Sequence, residues 1–126
     1  MAEQRTLTVL LADDEVEVGE FFKEDLERAC VSVDYVPTTQ KALEQLAAKK
    51  YDIVFTDLNQ APTGVEVFKK ARESGADAYI ITGGALPGLM DEARQVAGDH
   101  LIMKPFQMKT IYEIIERNMS KEKPQS

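Results

Sequence analysis

Residues suited to soft-ligand or redox chemistry are scarce: 126 residues hold one cysteine and one histidine. A lone Cys30 excludes an internal disulfide, so nothing points to an oxidising compartment, and such a thiol is expected to pack in the core. His100 has no second histidine with which to build a metal site and reads as a surface or strand-end residue. Basic residues are also short, 15 against 22 acids, for a net charge of −7. Nucleic acids and anionic membranes attract basic patches, so neither is an expected partner; cations and basic protein surfaces suit the balance. No apolar run is long enough for a membrane span, and the N-terminus lacks a signal peptide's basic-then-apolar order, so a cytoplasmic location is expected. Repeats are missing, and no phosphate-cradling glycine loop follows the first apolar run, which argues against a nucleotide-binding module. What remains is a single domain, 44% hydrophobic and 29% charged, large enough for a real core.

Five short apolar runs alternate with five helical patterns. The runs are 6–12, 31–36, 51–57, 77–82 and 99–103. After the first, Val18, Phe22 and Leu26 recur every four residues with Phe21 and Ala29 on the same side. Pro37-Thr38-Thr39 opens a second helix that turns Ala42, Leu43, Leu46 and Ala47 inward and ends in Lys49-Lys50. Val65, Phe68 and Ala71 mark a third, closed by Ser74-Gly75. Pro87-Gly88 begins a fourth, with Leu89, Ala93 and Val96 inward, and Met108, Ile111, Ile114 and Ile115 line the last. Strands alternating with helices of this length predict an α/β fold with a parallel sheet covered on both faces. The folded unit is expected over 6–119, after an N-terminal extension 1–5 and before a flexible tail 120–126.

In a parallel sheet all strand ends of one kind share an edge, and in open α/β sheets sites form in the crevice beyond the carboxyl ends. Here those ends carry chemistry. The first run stops at Asp13-Asp14, the third at Asp57, the fourth at Thr82 and the fifth at Lys104. Singly, each has a plain reading as a helix cap, a turn former, a strand residue or a solvated lysine. Jointly they suggest a site. Three crowded carboxylates raise one another's pKa unless a cation sits among them. Oxygen donors of this kind select a hard ion such as Mg²⁺, which keeps several waters and shares its shell with phosphate oxygens. An ammonium and a hydroxyl alongside suit an anion with several oxygens. Aspartate is a competent nucleophile towards phosphorus, so the pattern suggests an aspartate that becomes phosphorylated.

With Asp13-Asp14, Asp57, Thr82 and Lys104-Pro105 in this order over 6–119, the chain resembles the receiver domains of bacterial two-component signalling. It is similar to the free-standing chemotaxis type, since little follows the fifth helix. The resemblance implies the flavodoxin-like, doubly wound five-stranded sheet of order 2-1-3-4-5, an order that comes with the family and not from the residues. It implies Asp57 as phospho-acceptor, and Mg²⁺ held by Asp13, Asp14, Asp57 and the backbone carbonyl of Asn59. Thr82 would turn in to bond the phosphoryl group, Lys104 would pair with it, and Lys104-Pro105 would be cis. The implied partners are a sensor histidine kinase or histidine phosphotransfer protein and a downstream target, with the protein a monomer or weak dimer. Such a module catalyses its own phosphorylation and dephosphorylation, is otherwise not an enzyme, and acts by binding.

Three departures stand out. The family's proline four residues after the acceptor is replaced by Ala61, with Pro62 one later. The segment from Asp57 to Thr82 is a few residues short. The aromatic expected three residues before the lysine is Leu101, so a response through Gly83-Gly84 and the fourth helix is expected in place of a ring movement. These departures support a second reading, a receiver-like scaffold that binds partners without phosphate. A third, an aspartate-dependent phosphatase, would want an acid where Asn59 stands. The acids Glu17, Glu20, Glu24, Asp25 and Glu27 of the first helix read as a solvated face, and Tyr112 as a surface tyrosine on the last.

Overall fold

A computed structural model describes residues 6–29 and 31–120. The expectations for Cys30, for 1–5 and for the tail beyond 120 fall outside the described residues; Ser120, the first residue assigned to that tail, closes the last helix. The first half of the chain forms β1 (Thr8–Ala12), α1 (Val16–Glu27), β2 (Ser32–Val36), α2 (Thr39–Ala48) and β3 (Ile53–Thr56). The second half forms α3 (Gly64–Glu73), β4 (Asp77–Thr82), α4 (Pro87–Ala97), β5 (Leu101–Met103) and α5 (Met108–Ser120). Every strand pair is parallel, and the sheet order is β2-β1-β3-β4-β5, as the resemblance implied.

Side chains alternate across a strand, so the sheet feeds two cores. Leu10, Val54 and Ile80 face one side and pack with Ala42 and Leu46 of α2, Phe68 and Ala71 of α3, and Met90 and Ala93 of α4. Val9, Leu11, Phe55 and Tyr79 face the other and pack with Phe22 and Leu26 of α1 and Ile111, Ile114 and Ile115 of α5. Central β3 is buried at all four residues, hence its β-branched and aromatic run. On the α1 and α5 side an aromatic row crosses the sheet. Phe22 lies 5.6 Å from Phe55, Phe55 5.6 Å from Tyr79, and Tyr79 4.4 Å from His100.

Several expected faces are shifted. On α1 the inward residues are Gly19, Phe22 and Leu26, while Val18 and Phe21 are exposed at 41% and 63%. Gly19 sets that rotation, because a Cβ there would fall 2.2 Å from Tyr35 Cε1 and the ring lies directly on the helix. On α2 Ala47 is exposed and Thr39 is buried instead. On α4 Met90, Ala93 and Ala97 are deepest, with Leu89 and Val96 only partly buried. Asp99 and His100 belong to a 3₁₀ turn, Gly98–His100, before a three-residue β5. His100 is no simple surface residue: its Nδ1 lies 2.9 Å from the Ala78 carbonyl oxygen and 3.6 Å from Asp77 Oδ1. Tyr112 is on the outer side of α5, as expected, and donates a hydrogen bond to Asp25 of α1.

Candidate functional site

The site grows out of strand register. Ala12 pairs with Thr56, so the next residues, Asp13 and Asp57, leave the sheet side by side, and the Asp57 N–H donates to the Ala12 carbonyl at 2.9 Å. Thr82 pairs with Met103, and Lys104 N–H donates to the Thr82 carbonyl at 2.8 Å. These ends border an open cleft of about 250 Å³, lined among others by Asp14, Glu15, Asp57, Asn59, Thr82 and Lys104. Asp13 is buried, Asp57 partly buried and Asp14 exposed, and one carboxylate oxygen of each lies within 4.8 Å of the other two. Lys104-Pro105 is cis, and so is Ala61-Pro62.

The Asp57 carboxylate is held from two sides. Its Oδ2 accepts from Asp14 N–H at 3.1 Å and from Gln60 Nε2 at 2.9 Å; its Oδ1 accepts from Gln60 Nε2 at 3.3 Å. Its pKa is pushed up to about 6, mainly because burial disfavours the charge. The hydrogen bonds from Gln60 and Asp14 pull it back, and the Asp13 and Asp14 carboxylates add a smaller upward push. Crowding of acids, the cause the sequence suggested, is thus the lesser one.

Lys104 shares the cleft with Asp57, but its Nζ stands 3.6 Å from Asp13 Oδ2 and 3.5 Å from Glu15 Oε1. Thr82 is buried, and its hydroxyl accepts from Gly84 N–H at 3.1 Å and lies 3.3 Å from the Gly84 carbonyl oxygen. Asn59 lines the cleft and donates from Nδ2 to that same carbonyl at 2.7 Å. All the expected residues therefore meet in one place. The hydroxyl and the ammonium are engaged with protein neighbours and not with Asp57.

Four contributors were not foreseen. Glu15 joins Asp13 against Lys104. Tyr35 donates from its hydroxyl to the Asp13 carbonyl at 2.6 Å, fixing the turn that presents both acids. Gly64 opens α3 where a Cβ would lie 2.0 Å from the Asp57 carbonyl oxygen, so the acceptor's backbone is seated against a residue without a side chain. Gln60, between β3 and α3, touches both oxygens of Asp57.

Order 2-1-3-4-5 with an acidic cleft beyond the β1 and β3 ends defines a flavodoxin-like domain. Residues 9–116 match the model of the response regulator receiver domain, and the chain belongs to that family, that of two-component response regulators. It is 27% identical over 112 residues to the response regulator receiver protein CpdR of Brucella abortus (strain 2308), covering 86% of this chain and 93% of that protein. Among solved structures it is similar to a response regulator receiver protein of Sinorhizobium medicae WSM419, at TM-score 0.78 and 28% identity, covering 93% and 97% of the two chains. A CheY-like receiver domain protein of Methanospirillum hungatei JF-1 shares the fold at TM-score 0.79 and 21% identity, over 91% and 94%. Among the described residues no helix is long and apolar enough to cross a membrane.

Proposed function

We propose that Asp57 accepts a phosphoryl group from a phosphohistidine of a sensor histidine kinase or histidine phosphotransfer protein, in a Mg²⁺-dependent reaction, and that the altered surface then binds a target protein. A carboxylate oxygen of Asp57 attacks phosphorus. The P–N bond breaks, an O–P bond forms, and the imidazole nitrogen leaves with the electron pair and is protonated from solvent. The observation that carries this reading is the clustering of Asp13, Asp14 and Asp57 beside a cleft that Asp14, Asp57, Thr82 and Lys104 line.

The donor set suits Mg²⁺: the three carboxylates and the backbone carbonyl of Asn59 would hold it, Asp13 or Asp14 acting through a water. Bound there, the ion supplies neutralising charge for the transferred phosphoryl oxygens. The chain's own part is positioning. Lys104 exchanges Glu15 and Asp13 for a phosphoryl oxygen, and the Thr82 hydroxyl leaves Gly84 for another. Beyond this self-catalysed gain and loss of phosphate the output is binding. Asn59 occupies the place where an aspartate-dependent phosphatase would carry its second acid, and its side chain is tied to Gly84.

The test is incubation with Mg²⁺ and a small phosphoramidate donor, read by intact mass. The expected result is a single base-labile phosphoryl adduct, absent without Mg²⁺ and in Asp57→Asn. A second reading, a scaffold that binds partners without phosphate, is favoured by the amide that already covers both oxygens of Asp57. A chain that stays unmodified yet keeps its partner would decide for it.

A further inference from the structure

Gln60 sits between two loops. From the loop after β3 its Nε2 donates to both oxygens of Asp57 and lies 3.4 Å from the Pro37 carbonyl oxygen. Its Oε1 accepts from the backbone N–H of Thr39 at 2.9 Å. Thr39 is the first residue of α2 and is wholly buried, and its hydroxyl donates to the Pro62 carbonyl at 2.5 Å. A first-turn N–H has no partner inside its own helix, so an outside acceptor must supply one. The Asp57 carboxylate, in turn, can only accept. These two demands fix the amide's orientation: turned over, it would set NH₂ against N–H and oxygen against carboxylate. One planar group therefore answers to the acceptor at one end and to α2 at the other.

We propose that Gln60 is a positioning residue that transmits the state of Asp57 to the start of α2. The inference rests on Asp57 being the phospho-acceptor. A phosphoryl group on one Asp57 oxygen removes the carboxylate that Nε2 grips, and its bulk enters the space the amide occupies. The amide swings away, and because its nitrogen and oxygen are rigidly joined, Oε1 leaves Thr39 with it. The first N–H of α2 is then unpaired, the 37–39 turn loosens, and the helix N-terminus presents a changed surface. While Asp57 is unmodified, the same contacts hold its lone pairs, so gain of metal or phosphoryl competes with the amide.

The experiment measures amide hydrogen exchange at Thr39 by ¹⁵N-resolved NMR on the full chain, with and without beryllofluoride and Mg²⁺. In the native chain the probe is expected to speed Thr39 exchange roughly tenfold, the scale set by losing one hydrogen bond. In Gln60→Met, which keeps bulk and loses the amide, Thr39 exchanges fast from the outset and the probe adds little. Gln60→Glu keeps an acceptor for Thr39 while losing the grip on Asp57. There Thr39 stays protected with and without the probe, a separation that general loosening of the loop would not produce. If the probe binds, as ¹⁹F signals report, and Thr39 exchange in the native chain does not change, Gln60 transmits nothing while the acceptor reading stands. If the probe does not bind and no phosphoryl adduct forms, the acceptor reading falls and takes this one with it.

Discussion

Asp57 is an acid whose surroundings disfavour its charge, and that has a measurable sign. Its pKa goes from 3.8 to about 6 on folding, so the folded state binds its proton more tightly than the unfolded chain. The stability Asp57 contributes is therefore present below about pH 4 and is lost as pH rises through about 6. Other carboxylates titrate nearby, so the difference from Asp57→Asn isolates the effect. In urea melts without divalent ions, the variant should be the more stable chain at pH 7 to 8, and the gap should close as pH falls below 4. A gap that is flat in pH would mean the charge is not penalised in the fold. At this scale the sequence was informative where a side chain ends an apolar run, as Asp13, Asp57, Thr82 and Lys104 do. It was silent on Gln60, whose partners Thr39 and Asp57 lie 21 residues back and three residues back and meet only when two loops close on each other. Lys104 lines the same cleft as Asp57, yet its present partners are Asp13 and Glu15.

The elements themselves were largely legible, because short, mostly apolar strands of three to six residues alternate with amphipathic helices. The faces were less so. Phe21 and Phe22, or Leu89 and Met90, are adjacent and equally apolar, and periodicity does not say which of two neighbours turns inward. Packing decides: on α1 the Tyr35 ring needs the bare surface of Gly19, and that rotates Phe22 in and Phe21 out. The segment after β4 carries its own expectation. Thr82 and Asn59 are both bonded to Gly84, whose φ of 133° is open to glycine alone, and Leu101 offers no ring to follow the hydroxyl. A phosphoryl mimic that draws Thr82 away should therefore raise hydrogen exchange across 83–97. Unaltered exchange there would remove this segment from the response.

For the whole molecule, the proposed cation site would couple ion binding to folding, since its three carboxylates follow the ends of β1 and β3 and the unfolded chain does not hold them together. Mg²⁺ at ten times its dissociation constant should add about 1.4 kcal/mol, raising the melting temperature by a few degrees for a domain of this size. Calorimetry of the native chain and of Asp14→Ala should show that rise in the first and a reduced one in the second. An equal rise in both would place the ion elsewhere. The sheet order came with the family and not from the residues, because register between distant strands leaves no local mark.

Four acids, Asp13, Asp14, Glu15 and Asp57, gather at the cleft with one ammonium, Lys104, which pairs with Asp13 and Glu15, on a chain already seven charges negative. On the proposed function a phosphate donor, itself an anion, would be repelled by this cleft at long range. Entry would then depend on the positive charge that accompanies the guest, and a docking protein that brings basic side chains would hold a kinetic advantage over any small free donor.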